Sequence, residues 1–263
     1  VAALLEEKKE EILDLYYLLG EIESYISIAS YKEEIKGKYT KPIFIDKINI
    51  DIVDGIHPLV KDAVPNSIKF NKRGIVLTGT NMSGKSTFLR MIGLNMIFAQ
   101  TFNFILAKKY ESCFFNIVSS ISPSDDVMVG KSFYMAEAEA LLRIIKALEL
   151  NIPVFCPIDE IFRGTNPIER ISASAEILKY INSKKSISIV ATHDRELTEI
   201  LKDNYEFFYF SEKVDNAGLK FDYKLKKGIS KTRNAIKLLD FIGYPKEIIK
   251  RSYERAEDLE KYM

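Results

Sequence analysis

Apolar positions recur along the chain first with a helical period and then with a strand period. Over residues 1–36 they keep helical spacing between glutamates and lysines, and Gly37 and Pro42 end the predicted helix. The isoleucines that follow alternate with other residues instead, which predicts strands before a turn at residues 55–58. These isoleucines are Ile43, Ile45, Ile48, Ile50 and Ile52.

Beyond this turn, short apolar runs alternate with longer stretches of helical periodicity. The runs predict buried strands at residues 75–78, 152–158 and 187–191. The helices that follow them are expected to begin near Lys85, Pro167 and Asp194. Asn166 precedes one of these helices and has the side chain of an N-cap.

The last third of the chain predicts a strand pair and a helix. Residues 207–210 and 219–225 favour an antiparallel pair around a turn at 216–218, and Pro245 opens a charged helix that runs to Met263. Strands and helices in this order predict the α/β fold class, with a mixed, mostly parallel sheet that has helices on both faces.

The composition indicates more about the cellular compartment than about the function. Lys and Arg number 38 against 37 Asp and Glu, which neither requires nor excludes a nucleic-acid partner. Cys113 and Cys156 share no metal-like spacing and are expected to be buried and reduced, which suits the cytoplasm. Residues 91–107 predict a buried helix rather than a membrane span. Because the chain opens at Val1 inside a helical pattern, we expect a fragment of a longer protein.

The segment GTNMSGKS at residues 79–86 fits the phosphate-loop pattern G-x-x-x-x-G-K-[ST]. Its glycines let backbone N–H groups face phosphate oxygens, and the helix dipole favours the same negative charge. Lys85 is expected to reach the β- and γ-phosphates, and Ser86 to bind Mg²⁺. The predicted nucleotide-binding residues of the loop are Gly79, Thr80, Asn81, Met82, Ser83, Gly84, Lys85, Ser86 and Thr87.

Two carboxylates stand at the end of the second predicted strand. Asp159 is expected to hold the Mg²⁺ shell, and Glu160 to polarise the attacking water as general base. A kinase has no need of such a glutamate, so the pair favours an ATPase that uses ATP and Mg²⁺. His193 follows the third predicted strand at the same end of the sheet, where it can sense the γ-phosphate or hold the water.

Taken in order, these motifs resemble the carboxy-terminal ATPase domain of the MutS family. The similar segments are TGTNMSGKST at 78–87, DDVMVGKSFYMAE at 125–137, DEIFRGTN at 159–166, ATHDREL at 191–197 and GYPKEIIKR at 243–251. IHPLV at 56–60 resembles the His-Pro stretch that precedes the phosphate loop in that family. The resemblance covers roughly residues 45–263, and residues 1–36 look like the end of the helical lever that enters this domain.

The resemblance implies three parts and a dimer. Residues 1–44 would end the lever, 45–242 would form an ABC-ATPase-like P-loop domain, and 243–263 would form a dimerising element. In this family the two ATPase domains build composite sites, and the loop that matches Ser132 reaches the partner's γ-phosphate. The implied partners are a second MutS-type subunit and DNA held by upstream parts, with no membrane. Without the resemblance, the loop around Ser132, Asp125 and Asp126 would be assigned to a solvated surface.

The chain also departs from the mismatch-repair pattern of the family. Phe162 stands where a glycine is usual, Ser83 replaces the second glycine of NMGGKS, and Thr80 replaces a proline. Residues 231–239 lack the usual Ser-Tyr-Gly stretch. The predicted catalytic side chains are unaffected, so ATP hydrolysis remains the expected activity.

Several other residues fit two interpretations. Val64 and Tyr209 are candidates for the two walls of an adenine site, although core packing suits them equally. Basic residues within 224–233 suit a phosphate backbone or a solvated face. The apolar stripe within 249–259 suits a partner subunit or its own domain. His57 is interpreted as a turn-packing residue.

The predicted function is a dimeric, Mg²⁺-dependent ATPase that couples ATP turnover to mismatched or otherwise distorted DNA. One alternative is an ABC-type motor that does not act on DNA, although KSFYM at 131–135 replaces the LSGGQ-like signature of such motors. A second alternative is a nucleotide-gated dimer scaffold, against which Glu160 argues. A MutS-related protein with another DNA task, or none, also remains open.

Overall fold

Helices and strands alternate through the computed structural model, which describes residues 6–70, 74–80, 82–121, 133–162, 165–215, 218–230 and 235–260. The helices are α1 (Lys9–Glu34), α2 (Lys85–Phe102), α3 (Phe133–Leu148), α4 (Pro167–Asn182), α5 (Glu196–Ile200), α6 (Ala235–Phe241) and α7 (Lys246–Glu260). The strands are β1 (Ile43–Phe44), β2 (Ile50–Gly55), β3 (Asn66–Lys69), β4 (Gly74–Thr78), β5 (Lys109–Ser112), β6 (Asn116–Ile117), β7 (Ser120–Ile121), β8 (Val154–Asp159), β9 (Ser186–Ala191), β10 (Tyr205–Tyr209), β11 (Glu212–Asp215), β12 (Gly218–Phe221) and β13 (Lys226–Lys227).

The main sheet is mixed and mostly parallel. Its strands follow the order β13-β10-β4-β9-β8-β6, and β7 also pairs with β8. Every described pairing in this sheet is parallel except that of β10 with β13. All residues of β4, β8 and β9 are buried, as is typical of parallel strands covered on both faces. The mixed α/β class predicted from the sequence is therefore confirmed.

Two apolar cores lie on opposite faces of this sheet. One contains residues of α2 together with Ile75 and Leu77 of β4. The other contains Val76 of the same strand and residues of α4. Because successive side chains of a strand point to opposite faces, β4 contributes to both cores. Cys113 and Cys156 are buried, as predicted.

A second, four-stranded sheet in the order β1-β5-β2-β3 contributes to the α2 core. Its pairings are antiparallel except that of β1 with β5. Ile50 and Ile52 of β2 are fully buried, as expected for the alternating isoleucines. This sheet places the chain segment 57–66 beside the amino-terminal end of α2.

The predicted pairing of residues 207–210 with 219–225 is wrong. Strand β10 lies instead beside the phosphate-loop strand, with Tyr205 opposite Gly74 and Tyr209 opposite Thr78, and its other edge takes β13. Strands β11 and β12 pair with each other and make a separate two-stranded antiparallel ribbon. An apolar strand gains more by entering the buried sheet than by pairing with its polar sequence neighbour.

Helix predictions are confirmed over most of their lengths. Asn166 caps α4 by accepting the N–H of Ile168 at 2.9 Å. The helix expected from Asp194 begins later, at Glu196, because the N–H of Asp194 bonds to Oγ1 of Thr192 in a turn. Helix α1 has no buried residue. No helix within the described ranges is long and apolar enough to cross a membrane.

Candidate functional site

The phosphate loop joins the buried strand β4 to helix α2. Gly79 and Gly84 have φ values of 143° and 110°, which residues with a side chain rarely adopt. A Cβ on Gly79 would lie 2.8 Å from the carbonyl oxygen of Phe210, so space requires glycine there as well. Helix α2 begins directly after the loop, at Lys85. The strand–loop–helix arrangement that the motif needs is present.

Two hydroxyls of the loop are buried without a hydrogen-bond partner within the described part of the chain, Oγ1 of Thr80 and Oγ of Ser83. Leaving a polar group buried and unpaired costs about 1–3 kcal/mol. A ligand rich in hydrogen-bond acceptors would remove that cost. The loop therefore fits a phosphate group by its own chemistry as well as by its pattern.

Three predicted side chains meet beside the loop. Nζ of Lys85 donates to the carbonyl oxygens of Gly79 and Thr80 at 2.9 and 3.0 Å, and it lies 3.3 Å from Nε2 of His193. The same Nε2 lies 3.2 Å from Oε1 of Glu160. A cation, an imidazole and a carboxylate from three motifs are thus in direct contact, although 108 residues separate Lys85 from His193.

The two carboxylates leave strand β8 in different environments. Asp159 is the last strand residue and is only 3% exposed, whereas Glu160 is partly exposed. Glu160 adopts a φ of 62°, and its N–H donates to the carbonyl oxygen of Ala191 at 2.9 Å. A left-handed non-glycine residue costs of order 1–3 kcal/mol. The backbone therefore turns sharply between the two acids.

An ion pair connects α4 to the turn that carries His193. Nε and Nη2 of Arg170 donate to the two carboxylate oxygens of Asp194 at 3.0 and 2.5 Å. The two side chains are 23% and 15% exposed. The hydrogen bonds to the Asp194 carboxylate raise the pKa of the Arg170 guanidinium further, so the guanidinium stays charged. The ion pair thus joins α4, the helix that follows Asp159 and Glu160 in the chain, to Asp194, the residue after His193.

A cleft of about 630 Å³ opens beside these groups. It is lined by residues from the loop and α2, from the carboxylate pair, from the 57–66 segment and by two aromatic residues later in the chain. These are His57, Val60, Lys61, Asp62, Ala63, Val64, Asn66, Met82, Gly84, Lys85, Ser86, Thr87, Phe88, Met91, Asp159, Glu160, Phe210 and Tyr223. Such a size suits a small-molecule ligand.

Val64 lines this cleft, but Tyr209 does not. Phe208 and Phe210 face the α2 core, and Phe207 faces the other core. By strand alternation Tyr209 lies on the face opposite the cleft, so the structure does not bring this predicted residue to the site. Tyr223 lines the cleft instead, from an irregular segment that the sequence predicted to be a strand.

His57 combines its predicted role with a second one. Its Nδ1 accepts the N–H of Leu59 at 3.1 Å, which is the turn-packing contact expected from the sequence. It also lines the cleft. Burial lowers the pKa of His57, and the positive charge of Arg90 lowers it further. Its surroundings therefore favour the neutral imidazole over the protonated one.

Some predicted residues lie outside the described ranges. These are Asn81, Asp125, Asp126, Ser132, Lys231 and Arg233. The ring of Tyr134 in α3 lies 5.2 Å from the ring of Phe162. Phe162, which replaces the usual family glycine, has a glycine-like φ of 56° and is 7% exposed.

The described lysines of the basic run contact groups of the protein. Nζ of Lys224 donates to the carbonyl oxygen of Pro65 at 2.8 Å, and Lys226 pairs with Asp222. Lys227 lies 3.6 Å from Glu206. These contacts tie the run to the cleft wall and to strand β10.

Fold and site together define a mixed α/β domain of the P-loop class. A family model described as MutS domain V matches residues 75–260. The chain belongs to the MutS family.

Similar proteins from several bacteria carry one name, DNA mismatch repair protein MutS. That of Persephonella marina is 33% identical over 247 residues, which cover 90% of this chain and 28% of that protein. That of Fusobacterium nucleatum is 31% identical over 270 residues, which cover 98% of this chain and 30% of that protein. That of Thermus thermophilus is 28% identical over 251 residues, which cover 94% of this chain and 30% of that protein. The chain thus spans about three tenths of the length of these relatives.

Proposed function

We propose that this chain is an ATP-binding and ATP-hydrolysing domain that couples ATP turnover to DNA in mismatch repair or a related DNA transaction. The observation that carries the proposal is the contact of Lys85 with His193 and of His193 with Glu160, at 3.3 and 3.2 Å, beside the phosphate loop. These are the groups that phosphate binding and water activation require. The membership of the MutS family agrees with this chemistry.

Ser86 and Asp159 would hold Mg²⁺. Both line the cleft, and Asp159 is buried at the end of β8. Within the described residues no three His, Cys, Asp or Glu side chains form a metal site, which agrees with an ion that takes one or two protein oxygens and completes its shell with phosphate and water. Bound there, Mg²⁺ would neutralise charge that develops on the phosphate oxygens.

Glu160 is the proposed general base, since it lines the cleft with a side chain that is 24% exposed and reaches His193. His193 would orient the glutamate and the attacking water. Lys85 would exchange its contacts with the loop carbonyls for contacts with the β- and γ-phosphates. Val64 and Tyr223 would form the two walls of the base-binding part of the cleft.

DNA coupling and dimerisation are proposed from the relatives and from the family resemblance. The similar proteins are named for DNA mismatch repair, and each is more than three times longer than the match. We propose that α1 ends a lever, that α7 contributes to a dimer, and that Ser132 acts on the partner's nucleotide. DNA would be held by parts that correspond to the rest of the relatives.

Titration calorimetry and steady-state turnover test the proposed site. Lys85→Ala should abolish tight ATP binding, because it removes the charge that faces the phosphates. Glu160→Gln should bind ATP nearly normally and hydrolyse it about 10²- to 10⁴-fold more slowly, the usual cost of losing a general base. Lys179→Ala, which removes an exposed lysine on α4, is the matched control and should change neither quantity. Unchanged ATP affinity in Lys85→Ala would exclude the phosphate-loop assignment.

A further inference from the structure

One side chain connects the two proposed walls of the base-binding cleft. Nδ2 of Asn66 donates to the carbonyl oxygen of Val64 at 3.1 Å and to that of Tyr223 at 2.9 Å. Its Oδ1 accepts the N–H of Leu225 at 2.8 Å. Asn66 thus bonds to its own wall and to a segment 157–159 residues later in the chain.

These partners require an asparagine. Two carbonyl oxygens must face an NH₂ group and one N–H must face an oxygen, which also settles the orientation of the amide. Aspartate has the same shape but no donor, and alanine has neither group. A fourth bond, from Nζ of Lys224 to the carbonyl oxygen of Pro65, joins the same two segments.

The residue held by this amide has an unfavourable backbone. Tyr223 has a φ of 49° and is exposed, with no helix or strand to support it. Its ring stacks on that of Phe221 and lies close to Gly84, since a Cβ on that glycine would be 3.3 Å from Cδ1 of Tyr223. A left-handed residue in an irregular segment persists only where its surroundings hold it.

We propose that Asn66 is a positioning residue for nucleotide-base recognition. By bonding to the carbonyl oxygens of Val64 and Tyr223 and to the N–H of Leu225, it holds the backbone of Tyr223 beside that of Val64, so that a planar base enters a preformed slot. The inference rests on the proposed function, because it assumes that the ligand is a nucleoside triphosphate. Asn66 makes no contact with phosphate in this scheme, and its effect is confined to the base.

Comparing ATP with tripolyphosphate separates the base from the phosphates. In the 263-residue chain, Asn66→Ala should raise the dissociation constant for Mg-ATP by about 5- to 150-fold, the range for losing one aromatic stacking partner. The dissociation constant for Mg-tripolyphosphate should stay unchanged. Asn66→Asp should behave in the same way, since it keeps the volume of the side chain but loses both donors.

A double-mutant cycle distinguishes positioning from a general structural effect. Tyr223→Ala should lose as much ATP affinity as Asn66→Ala, and the double variant should lose little more, because both changes remove the same wall. Gln100→Ala is the matched control: its amide bonds to the N–H and carbonyl oxygen of Phe115, and Gln100 does not line the cleft. It should leave both dissociation constants unchanged.

Three results would overturn the proposal. They are an unchanged ATP affinity in both Asn66 variants, an equal loss for tripolyphosphate, and additive losses in the double variant. If wild-type protein binds neither ligand, the proposed function itself fails. If it binds tripolyphosphate as tightly as ATP, phosphate binding stands and the base slot is wrong.

Discussion

Two residues close together in the chain adopt backbone conformations that usually require glycine. Glu160 and Phe162 have φ values of 62° and 56° directly after the buried strand β8. Observed strain of this kind clusters at functional sites, where the surrounding fold holds it. Here it lies between the proposed magnesium ligand Asp159 and the start of α4. The strained backbone therefore includes Glu160, the proposed water-activating residue, and sets the direction of its side chain.

Phe162 allows a direct test of this strain. Phe162→Gly and Phe162→Ala should both destabilise the fold, because the ring is buried against Tyr134. Glycine should be the less harmful by about 1 kcal/mol, since a left-handed backbone costs residues with a Cβ roughly that amount. Urea denaturation of the two variants measures the difference.

A buried phenylalanine with ordinary backbone is the control for this comparison. Phe70 is 6% exposed and is not among the residues with positive φ. At that position the order should reverse, because glycine normally loses more chain entropy than alanine. Alanine proving better than glycine at both positions would show that Phe162 is not strained.

His57 predicts a pH dependence of stability. Its pKa in the folded chain lies below the ordinary value of 6.5, so the unfolded chain binds more protons between the two values. The stability it contributes is present above pH 6.5 and is lost as the pH falls toward the folded pKa. His57→Gln should therefore show a shallower decline of the unfolding free energy below pH 6.5 than wild type. Parallel curves would contradict this assignment.

At the scale of elements, the Arg170–Asp194 pair joins α4 to the turn after β9. Removing either partner should cost about 1–3 kcal/mol, because the remaining charge is left half-buried. We also expect kcat to fall with little change in KM, since the pair positions His193 and not the nucleotide. Turnover assays on Arg170→Ala and Asp194→Ala measure both constants, and a double variant no worse than either single one would confirm the coupling. Unchanged kcat would mean that His193 is positioned independently.

Elements with strong local signals were predictable, and those that depend on distant partners were not. Helix α1 and the strands β4, β8 and β9 follow from periodicity and from the motifs beside them. Helix α3 and the short strands β5–β7 have no counterpart among the predicted elements. The pairing of β10 depends on which strand offers it a buried edge, and no local pattern contains that information.

The same distinction applies to the site. The loop residues, Asp159, Glu160 and His193 belong to motifs at strand ends, so topology brings them to one edge of the sheet. Tyr209 lies away from the cleft because the register of β10 beside β4 sets which face its side chain takes, and the sequence does not contain that register. Tyr223 and Asn66 meet through tertiary hydrogen bonds between segments far apart in sequence.

At the scale of the whole molecule, mixing two variant subunits tests the proposal that each ATP site is shared between two chains. Lys85→Ala and Ser132→Ala should each be nearly inactive alone. In a mixed dimer, one site lacks both groups and the other keeps its own Lys85 and its partner's Ser132. About half of randomly formed dimers are mixed, so ATPase activity should reappear on combining the two variants. Normal turnover by Ser132→Ala alone, or no recovery although mixed dimers form, would contradict sites shared in this way.

The bonds that join the cleft to residues 223–230 also set an order of events during synthesis. Lys85 leaves the ribosome long before Tyr223, and Ser230 must arrive before its N–H can reach Oγ1 of Thr78 on the phosphate-loop strand. At about 5–20 residues per second, the loop waits on the order of ten seconds for its second wall. Nucleotide binding that uses both walls should therefore favour the completed chain over shorter intermediates.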